Sequence, residues 1–235
     1  MNDDTGHMFH LARATLVARA SGALHWPAAR LLAVADLHLG KAARIARAGG
    51  GLLPPYDDAA TLRRLEAEIA ETDPAVVVCL GDSFDDAAGA AAPDDATAGA
   101  LALLAAGRAW VWVSGNHDPG PGCAAVAGAI TAADWRCGPL DFRHIAAPAR
   151  PEPGKAEVSG HFHPKARLAL RGAGVSRPCF LIDDGRAILP AFGAYTGGLS
   201  WTAPPLAALL APGARAVLTG ARAVAVPVPA PAPTA

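Results

Sequence analysis

Three uninterrupted apolar runs place the strongest constraint on the fold of this chain. They are LLAVA at residues 31–35, VVVCL at 76–80 and AWVWV at 109–113. A run without polar alternation is typical of a strand that is buried on both faces. The first two runs are separated by DDAATLRRLEAEIAE at 57–71, which carries leucine and isoleucine at helical spacing. Strands that alternate with helices predict a largely parallel sheet covered by helices.

The later part of the chain is predicted to form hairpins. Short apolar runs at 166–170, 179–183 and 186–190 are punctuated by turn residues, notably the Asp-Asp-Gly at 183–185. An earlier hairpin is predicted over residues 16–26, around a Ser-Gly pair. Strand–helix alternation followed by hairpins predicts two sheets with helices on the outside.

Shorter segments complete the predicted secondary structure. Residues 101–106 are expected to form a helix, and residues 87–99, rich in Ala, Gly and Asp, a surface loop. Two further short strands are expected at 141–145 and 156–159.

A single domain is expected over residues 14–222. A flexible leader is expected at 1–13 and a flexible Pro/Ala-rich tail at 223–235. The 235 residues are 52% hydrophobic and 17% charged, which is enough apolar material for a sizeable core and excludes global disorder.

Composition also excludes some classes of function. With 20 basic and 21 acidic residues the formal net charge is −1, which excludes a globally basic nucleic-acid binder but leaves a local basic groove open. The four cysteines form no CxxC pair, which favours reduced thiols and a cytoplasmic location. Prolines interrupt the longest uncharged stretch, so no membrane span is expected.

Polar residues that can bind metals follow the predicted strands. They stand in DLH at 36–38, GDSFD at 81–85, GNHD at 115–118, DFRHI at 141–145 and GHFH at 160–163. In open α/β sheets ligands bind beyond the carboxyl ends of the strands, so these segments are expected to converge. Mixed oxygen and imidazole donors without cysteine suit Mn²⁺, Fe²⁺ or Zn²⁺.

Taken together and in this order, these segments resemble the calcineurin-like binuclear metallophosphoesterases over roughly residues 31–190. More narrowly, DLHLGK at 36–41, GHFHP at 160–164 and PAFGAYTGG at 190–198 look like the bacterial DNA ligase-associated metallophosphoesterases. The resemblance implies a four-layer αββα sandwich, in which helices flank two mixed β-sheets. It also implies a metal-dependent DNA endonuclease that works in association with a DNA ligase, an exonuclease and a helicase.

The resemblance further implies seven ligands shared by two divalent ions, with Mn²⁺ preferred and Fe²⁺ or Zn²⁺ as alternatives. One ion would be held by Asp36, His38 and His163. The other would be held by Asn116, His144 and His161. The carboxylate of Asp82 would bridge both ions.

The chemistry implied by the resemblance is in-line attack on phosphorus by a hydroxide that bridges the two metals. His117 would be the general acid for the leaving oxygen, and Asp118 would orient its imidazole and raise its pKa. Asp85 corresponds to the second aspartate of the GDxxD pattern and would contact the ligands rather than the metals.

Contacts with nucleic acid are predicted from two sets of residues. Cations at spacings of three follow the first ligand segment, namely Lys41, Arg44 and Arg47. They could contact substrate phosphates or be ordinary solvated surface charge. Aromatic side chains that could stack on bases, or equally pack in the core, are Phe192, Tyr195 and Trp201.

The leading hypothesis is therefore a phosphodiesterase that cuts DNA, with single-stranded DNA as substrate, in DNA repair. A phosphomonoesterase or a nucleotide phosphodiesterase would use the same ligands and is the main alternative. A catalytically inactive protein-binding scaffold is a third reading, disfavoured because all the expected ligand positions are filled.

Overall fold

The three apolar runs form the centre of the first of two β-sheets. The computed structural model describes residues 6–50, 54, 56–116, 118, 126–170 and 173–229. Within these residues the first sheet has seven strands in chain order: β1 His7–Leu11, β2 Ala14–Ala18, β3 Leu24–Trp26, β4 Leu31–Ala35, β5 Val76–Leu80, β6 Ala109–Val113 and β7 Ile130–Ala132. Neighbouring strands are antiparallel from β1 to β4 and parallel from β4 to β7. The three predicted central strands are confirmed with their bounds, and so is the hairpin of β2 and β3.

The second sheet is built from the later part of the described chain. Its strands are β8 Asp134–Cys137, β9 Leu140–Arg143, β10 Ala156–Ser159, β11 Lys165–Leu170, β12 Ala173–Ile182, β13 Arg186–Ile188, β14 Arg215–Leu218 and β15 Val224–Pro227. Their order across the sheet is β15-β14-β12-β13-β10-β9-β8, and β11 pairs with β12. Strand β10 runs parallel to β9 and β13, while the other pairs are antiparallel. The predicted hairpins of this region are confirmed.

Five α-helices of the described residues accompany the sheets. They are α1 Lys41–Arg47, α2 Asp57–Thr72, α3 Ala87–Ala91, α4 Asp95–Ala105 and α5 Pro204–Ala207. The helix predicted over 57–71 is confirmed as α2, whose Leu62, Leu65 and Ile69 pack on the first sheet. The helix predicted at 101–106 is the second half of α4.

The prediction of a loop over residues 87–99 is wrong, because α3 and the start of α4 lie there. An aspartate directly precedes each of these helices and caps it. The side chain of Asp86 accepts a hydrogen bond from the Gly89 amide at 2.8 Å, and that of Asp94 accepts one from the Thr97 amide at 2.9 Å. Such caps satisfy the first helical amides, and alanine has the highest helix propensity, so this segment becomes helical despite its loop-like composition.

Alternation along the central strands divides the core into layers. In β4, Ala33 lies in the core between the two sheets, whereas Val34 lies in the core beneath the helices. A third core, on the outer face of the second sheet, contains Leu181, Ile188 and Leu206. The predicted fold class, two mixed sheets with helices on the outer faces, is confirmed.

Both ends of the described chain are more ordered than expected. Residues 7–11 of the predicted leader form β1, which pairs with β2 along its length and buries Leu11. Residues 224–227 of the predicted tail form β15, paired with β14. Backbone pairing to an existing sheet edge explains both strands. Residues 1–5 and 230–235 lie outside the described residues. None of the helices described here is long and apolar enough to cross a membrane.

Two carboxylates at the start of α2 hold the start of α1. Both oxygens of Asp58 accept from the Gly40 amide, at 2.8 and 3.0 Å, and Asp57 Oδ2 accepts from the Ala42 amide at 3.0 Å. Burial raises the pKa of Asp58 from 3.8 to about 6, with smaller contributions from the charges of Asp57 and Asp94.

Substitution Asp58→Asn should therefore change how stability depends on pH. Between about pH 4 and about pH 6 the folded protein retains a proton on Asp58 that the unfolded chain has released, so stability falls as pH rises through this window. The free energy of unfolding of the wild type minus that of Asp58→Asn should decrease across it and level off above. Denaturant titration at a series of pH values measures this difference. The exposed Asp95→Asn on α4 is the control for charge removal, and a pH-independent difference for Asp58→Asn would contradict the assignment.

Candidate metal centre

Polar loops of both sheets meet at one place. Strands β4, β5 and β6 of the first sheet lead into residues 36–38, 81–82 and 115–116. Strands β9 and β10 of the second sheet lead into His144 and residues 160–163. The side chains of these segments form two groups with metal-ligating geometry.

The first group consists of Asp36, His38 and His163. The Nε2 atoms of the two imidazoles face each other at 3.4 Å, and Nε2 of His163 lies 3.2 Å from Oδ1 of Asp36. Asp36 and His38 are buried, and His163 is partly exposed. These are the three residues predicted to share one ion.

The second group consists of Asp82, His144 and His161, with Asn116 beside it. Nε2 of His144 lies 3.3 Å from Asp82 Oδ2, 3.1 Å from His161 Nδ1 and 3.0 Å from Asn116 Oδ1. The other ring nitrogen of His144 donates to the carbonyl oxygen of Leu80 at 3.0 Å, which directs Nε2 into the group. All four residues predicted for the second ion and its bridge are therefore together.

Asp36 connects the two groups. Its Oδ2 accepts a hydrogen bond from the backbone amide of His161 at 2.9 Å, and its Oδ1 lies 3.8 Å from Nδ1 of His144. The ligand groups therefore adjoin each other, as a binuclear centre requires.

The donor atoms fit divalent cations. Asp36 is fully buried, and its Oδ1 has no hydrogen-bond partner among the described residues. Imidazole nitrogens face one another at 3.1 and 3.4 Å, where two lone pairs would repel each other without a proton or a cation between them. Buried unpaired donors and acceptors are costly, and a bound cation would satisfy carboxylate and imidazole together.

Burial and neighbouring charges shift the pKa values of two imidazoles of the centre in opposite directions. Burial lowers the pKa of His144, but the hydrogen bond and charge of Asp82 and the charge of Asp36 outweigh burial and raise it. Burial and the neighbouring His144 lower the pKa of His161. His161 thus tends to stay neutral, which is the form of histidine that ligates metals.

Several predicted ligands share the same uncommon backbone conformation. Positive φ angles occur at five predicted ligands, namely Asp36 (54°), His38 (47°), Asp82 (44°), His161 (69°) and His163 (46°). Residues other than glycine seldom adopt this left-handed conformation, and it tends to concentrate at functional sites.

Two glycines that precede ligands leave space that a side chain would fill. A Cβ at Gly81, where φ is +72°, would lie 2.3 Å from Nδ1 of His144. A Cβ at Gly115 would lie 2.2 Å from both the amide nitrogen and Oδ1 of Asp82. The Gly-Asp and Gly-Asn motifs therefore need glycine because predicted ligands from other loops pack against the backbone.

Asp118 joins two of the loops. Its Oδ2 accepts from the Gly115 amide at 2.8 Å, and its Oδ1 accepts from the amides of Ser83 at 3.1 Å and Phe84 at 3.4 Å. Burial, together with the charge of Asp82, raises the pKa of Asp118. His117, the predicted general acid, lies outside the described residues, so its orientation by Asp118 stays a prediction.

Asp85 lies directly behind a predicted ligand. Its Oδ1 is 2.8 Å from Nδ1 of His38, and its Oδ2 accepts a hydrogen bond from Nε of Arg44. Nζ of Lys41 is 3.5 Å from Oδ1. Burial opposes ionisation of this carboxyl, but His38, Arg44 and Lys41 outweigh burial and hold its pKa below the usual value. The guanidinium of Arg47, the third predicted phosphate contact, donates a hydrogen bond to Oδ2 of Asp86 at 2.6 Å.

A model of the calcineurin-like phosphoesterase family matches residues 29–169. The chain belongs to the calcineurin-like phosphoesterase family. It is also similar to a solved structure, that of the Pseudomonas putida nuclease MPE, at 30% identity with a TM-score of 0.69, over 94% of this chain and 100% of that chain. The E. coli phosphoesterase YfcE covers 85% of this chain and 99% of its own, at 16% identity and a TM-score of 0.44. No curated protein sequence matches the chain.

The chain is accordingly a metallophosphoesterase, a hydrolase of phosphate esters, and the two ligand groups indicate that it uses divalent metal ions. Sequence analysis did not anticipate the segment that supports Asp36 in this metallophosphoesterase. The amides of Phe192 and Gly193 donate to the carbonyl oxygens of Ala35 and Asp36, at 2.8 and 3.0 Å. The PAFG residues at 190–193 are part of the family resemblance, but nothing in their composition or spacing predicts this support.

Gly115→Ala should disrupt the second ligand group of the metallophosphoesterase. The added Cβ would collide with Asp82, and the Gly115 backbone is tied down by Asp118. Calorimetric titration with Mn²⁺ should show weakened binding, and hydrolysis of a bis-aryl phosphate should fall with it. Gly99→Ala on α4 is the matched control, since a Cβ there meets nothing within 4 Å. It should bind Mn²⁺ normally and gain up to about 1 kcal/mol of stability. Equal Mn²⁺ binding by both variants would refute the packing argument.

Proposed function

We propose that this metallophosphoesterase is a phosphodiesterase that cuts DNA internally, with single-stranded DNA as its substrate. The observation that carries the proposal is the pair of adjoining ligand groups linked through Asp36. The similarity to a nuclease over nearly the whole chain supports a nucleic acid as the substrate.

The ligands divide between two ions in the proposed enzyme. One ion would be held by Asp36, His38 and His163. The other would be held by Asn116, His144 and His161. Asp82, which lies within 3.3 Å of His144, would contribute its second oxygen to the first ion and so bridge the pair. When bound, two divalent ions lower the pKa of a water and neutralise charge that develops on phosphate oxygens. The oxygen and imidazole donors favour Mn²⁺, with Fe²⁺ or Zn²⁺ as alternatives.

The chain's own residues would orient the substrate and move a proton. His117 directly follows the predicted ligand Asn116 in the sequence and stands at the position of the general acid in the family resemblance. His117 would donate the proton that the leaving oxygen requires. Asp118 would keep the 115–118 loop against the Asp82 loop through its hydrogen bonds to Gly115 and Ser83.

One exposed aromatic side chain favours a single-stranded substrate, because it lies on a loop that hydrogen bonds hold beside the centre. Of the three aromatic candidates, Phe192 and Trp201 are buried in the core, whereas Tyr195 is 38% exposed. The loop is fixed at both ends beside the centre, since the Gly193 amide donates to the carbonyl of Asp36 and the Leu199 amide to that of Phe162. Unstacked bases of single strands present faces on which such a ring can stack.

The biological setting is part of the proposal. The narrower resemblance in DLHLGK, GHFHP and PAFGAYTGG supports a role in DNA repair, in functional association with a DNA ligase, an exonuclease and a helicase. The cysteine pattern, without a CxxC pair, favours a cytoplasmic location. Genes for those enzymes next to the gene for this chain would support that setting, and their absence would count against it.

The activity is tested with metal-stripped protein to which Mn²⁺ is restored. We expect cleavage of circular single-stranded DNA and of a bis-aryl phosphate, and both should fall to background in Asp82→Asn, because an amide lacks the negative charge and the second oxygen with which a carboxylate would bridge two ions. Asp184→Asn, which removes an exposed carboxylate, is the control and should retain both activities. Hydrolysis of the small diester without cleavage of circular DNA would refute the endonuclease and favour a nucleotide phosphodiesterase. Hydrolysis of aryl monoesters alone would favour a phosphomonoesterase. Wild-type rates in Asp82→Asn would refute the binuclear mechanism.

Tyr195→Ala should separate DNA binding from the chemistry. Loss of a stacked base costs about 1–3 kcal/mol, so KM for single-stranded DNA should rise roughly 10-fold relative to KM for the bis-aryl phosphate. Tyr56→Ala, which removes the chain's other tyrosine, exposed before α2, is the matched control. Steady-state kinetics on both substrates measure the ratio. An unchanged ratio in Tyr195→Ala would remove the stacking argument for a single-stranded substrate.

A further inference from the structure

A buried carboxylate stands behind the predicted ligand His38. The side chain of Asp85 is only 4% exposed, and its Oδ1 lies 2.8 Å from His38 Nδ1. The opposite nitrogen of the same ring, Nε2, faces His163 in the first ligand group. A proton on Nδ1, attracted by this carboxylate, would leave the lone pair of Nε2 for a metal and would favour this direction of the ring.

This carboxylate is itself held by cations of one helix. Nε of Arg44 donates to Asp85 Oδ2, and Nζ of Lys41 lies 3.5 Å from Oδ1. The two cations are three residues apart and so stand on the same face of α1. A buried carboxylate without such partners would be destabilised and would have reason to turn away from His38 towards water.

Backbone hydrogen bonds connect the segment before α1 to the loop that carries Asp85. The amide of Asp85 donates to the carbonyl of Leu39 at 2.9 Å, and the amide of Leu39 donates to the carbonyl of Ser83 at 3.0 Å. The start of α1 is held in turn by Asp57 and Asp58. Arg44 therefore reaches Asp85 from a supported position.

We propose that Arg44 is a positioning residue, which acts through Asp85 to orient His38 for metal binding, in place of the direct contact with substrate phosphate that its spacing suggested. This inference rests on the proposed role of His38 as a metal ligand. Lys41 assists by adding a second positive charge near the same carboxylate.

The same helix supplies a matched control. Arg47 stands one turn beyond Arg44 and donates to Asp86 Oδ2 at 2.6 Å. The other oxygen of Asp86 accepts from the Gly89 amide at the start of α3. Arg47→Met thus removes a cation from the same helix without removing a partner of Asp85.

The test is calorimetric titration of metal-stripped full-length protein with Mn²⁺ alone. In Arg44→Met we expect the Kd of one of the two ions to rise by about 10-fold or more, as is typical when a residue that supports a ligand is lost. Arg44→Lys, which retains the charge, should recover part of this affinity, and it also serves if Arg44→Met does not fold. Arg47→Met should bind both ions as the wild type does. At saturating Mn²⁺, KM for a bis-aryl phosphate should be unchanged in Arg44→Met.

A double variant tests whether Arg44 acts through Asp85. If it does, Arg44→Met combined with Asp85→Asn should bind Mn²⁺ no more weakly than Asp85→Asn alone. Additive losses would overturn the proposal.

Two other results would overturn it. If KM rises in Arg44→Met while its affinity for Mn²⁺ is that of the wild type, Arg44 is a phosphate contact. If Arg44→Met and Arg47→Met weaken Mn²⁺ binding equally, α1 provides only general charge. Both leave the proposed function standing, whereas a wild-type protein that binds no Mn²⁺ overturns the proposed function together with this inference.

Discussion

The hydrogen bond from the His161 amide to Asp36 Oδ2, 2.9 Å long, joins the polar edges of the two sheets. Asp36 follows β4 of the first sheet, and His161 follows β10 of the second. The amides of Phe192 and Gly193 add two more links from the second half of the chain to the backbone around Asp36. Each ligand group takes residues from both sheets, so neither group could form if the sheets packed in another register. The adjoining position of the two groups is therefore a consequence of sheet packing as much as of the residues that compose them.

The charged residues of this metallophosphoesterase differ in importance according to burial. Exposed pairs such as Arg136 with Asp141 contribute little to stability, because water and salt screen their charges. Asp85, by contrast, is buried and lies against the predicted ligand His38. We therefore expect its ion pair with Arg44 to affect metal binding. A chain with a net charge near zero can thus concentrate strong electrostatic effects in one small region.

The parts predicted best from the sequence are those with the least freedom. Strands β4, β5 and β6 are buried on both faces, and this forces the continuous apolar runs that reveal them. Edge strands such as β1 and β15 have mixed burial and could not be predicted, because backbone pairing to a sheet edge leaves little pattern in the sequence. The convergence of the polar segments could be predicted because short motifs follow the strands, whereas their division into two groups rested on the family resemblance. The contact of Arg44 with Asp85 could not, since the pairing of residues 41 positions apart depends on how α1 docks.

The close approach of Gly81 to His144 has a consequence for how this family can diverge. A side chain at position 81 would occupy the space of the imidazole, 2.3 Å from Nδ1. As long as the histidine is present, a side chain at position 81 would displace its ring. Loss of the imidazole alone would not remove this restriction, because φ at Gly81 is +72° and an added Cβ would also lie 2.7 Å from Cβ of His144. Glycine is therefore expected to persist at position 81 even in descendants that lost the histidine and abandoned catalysis.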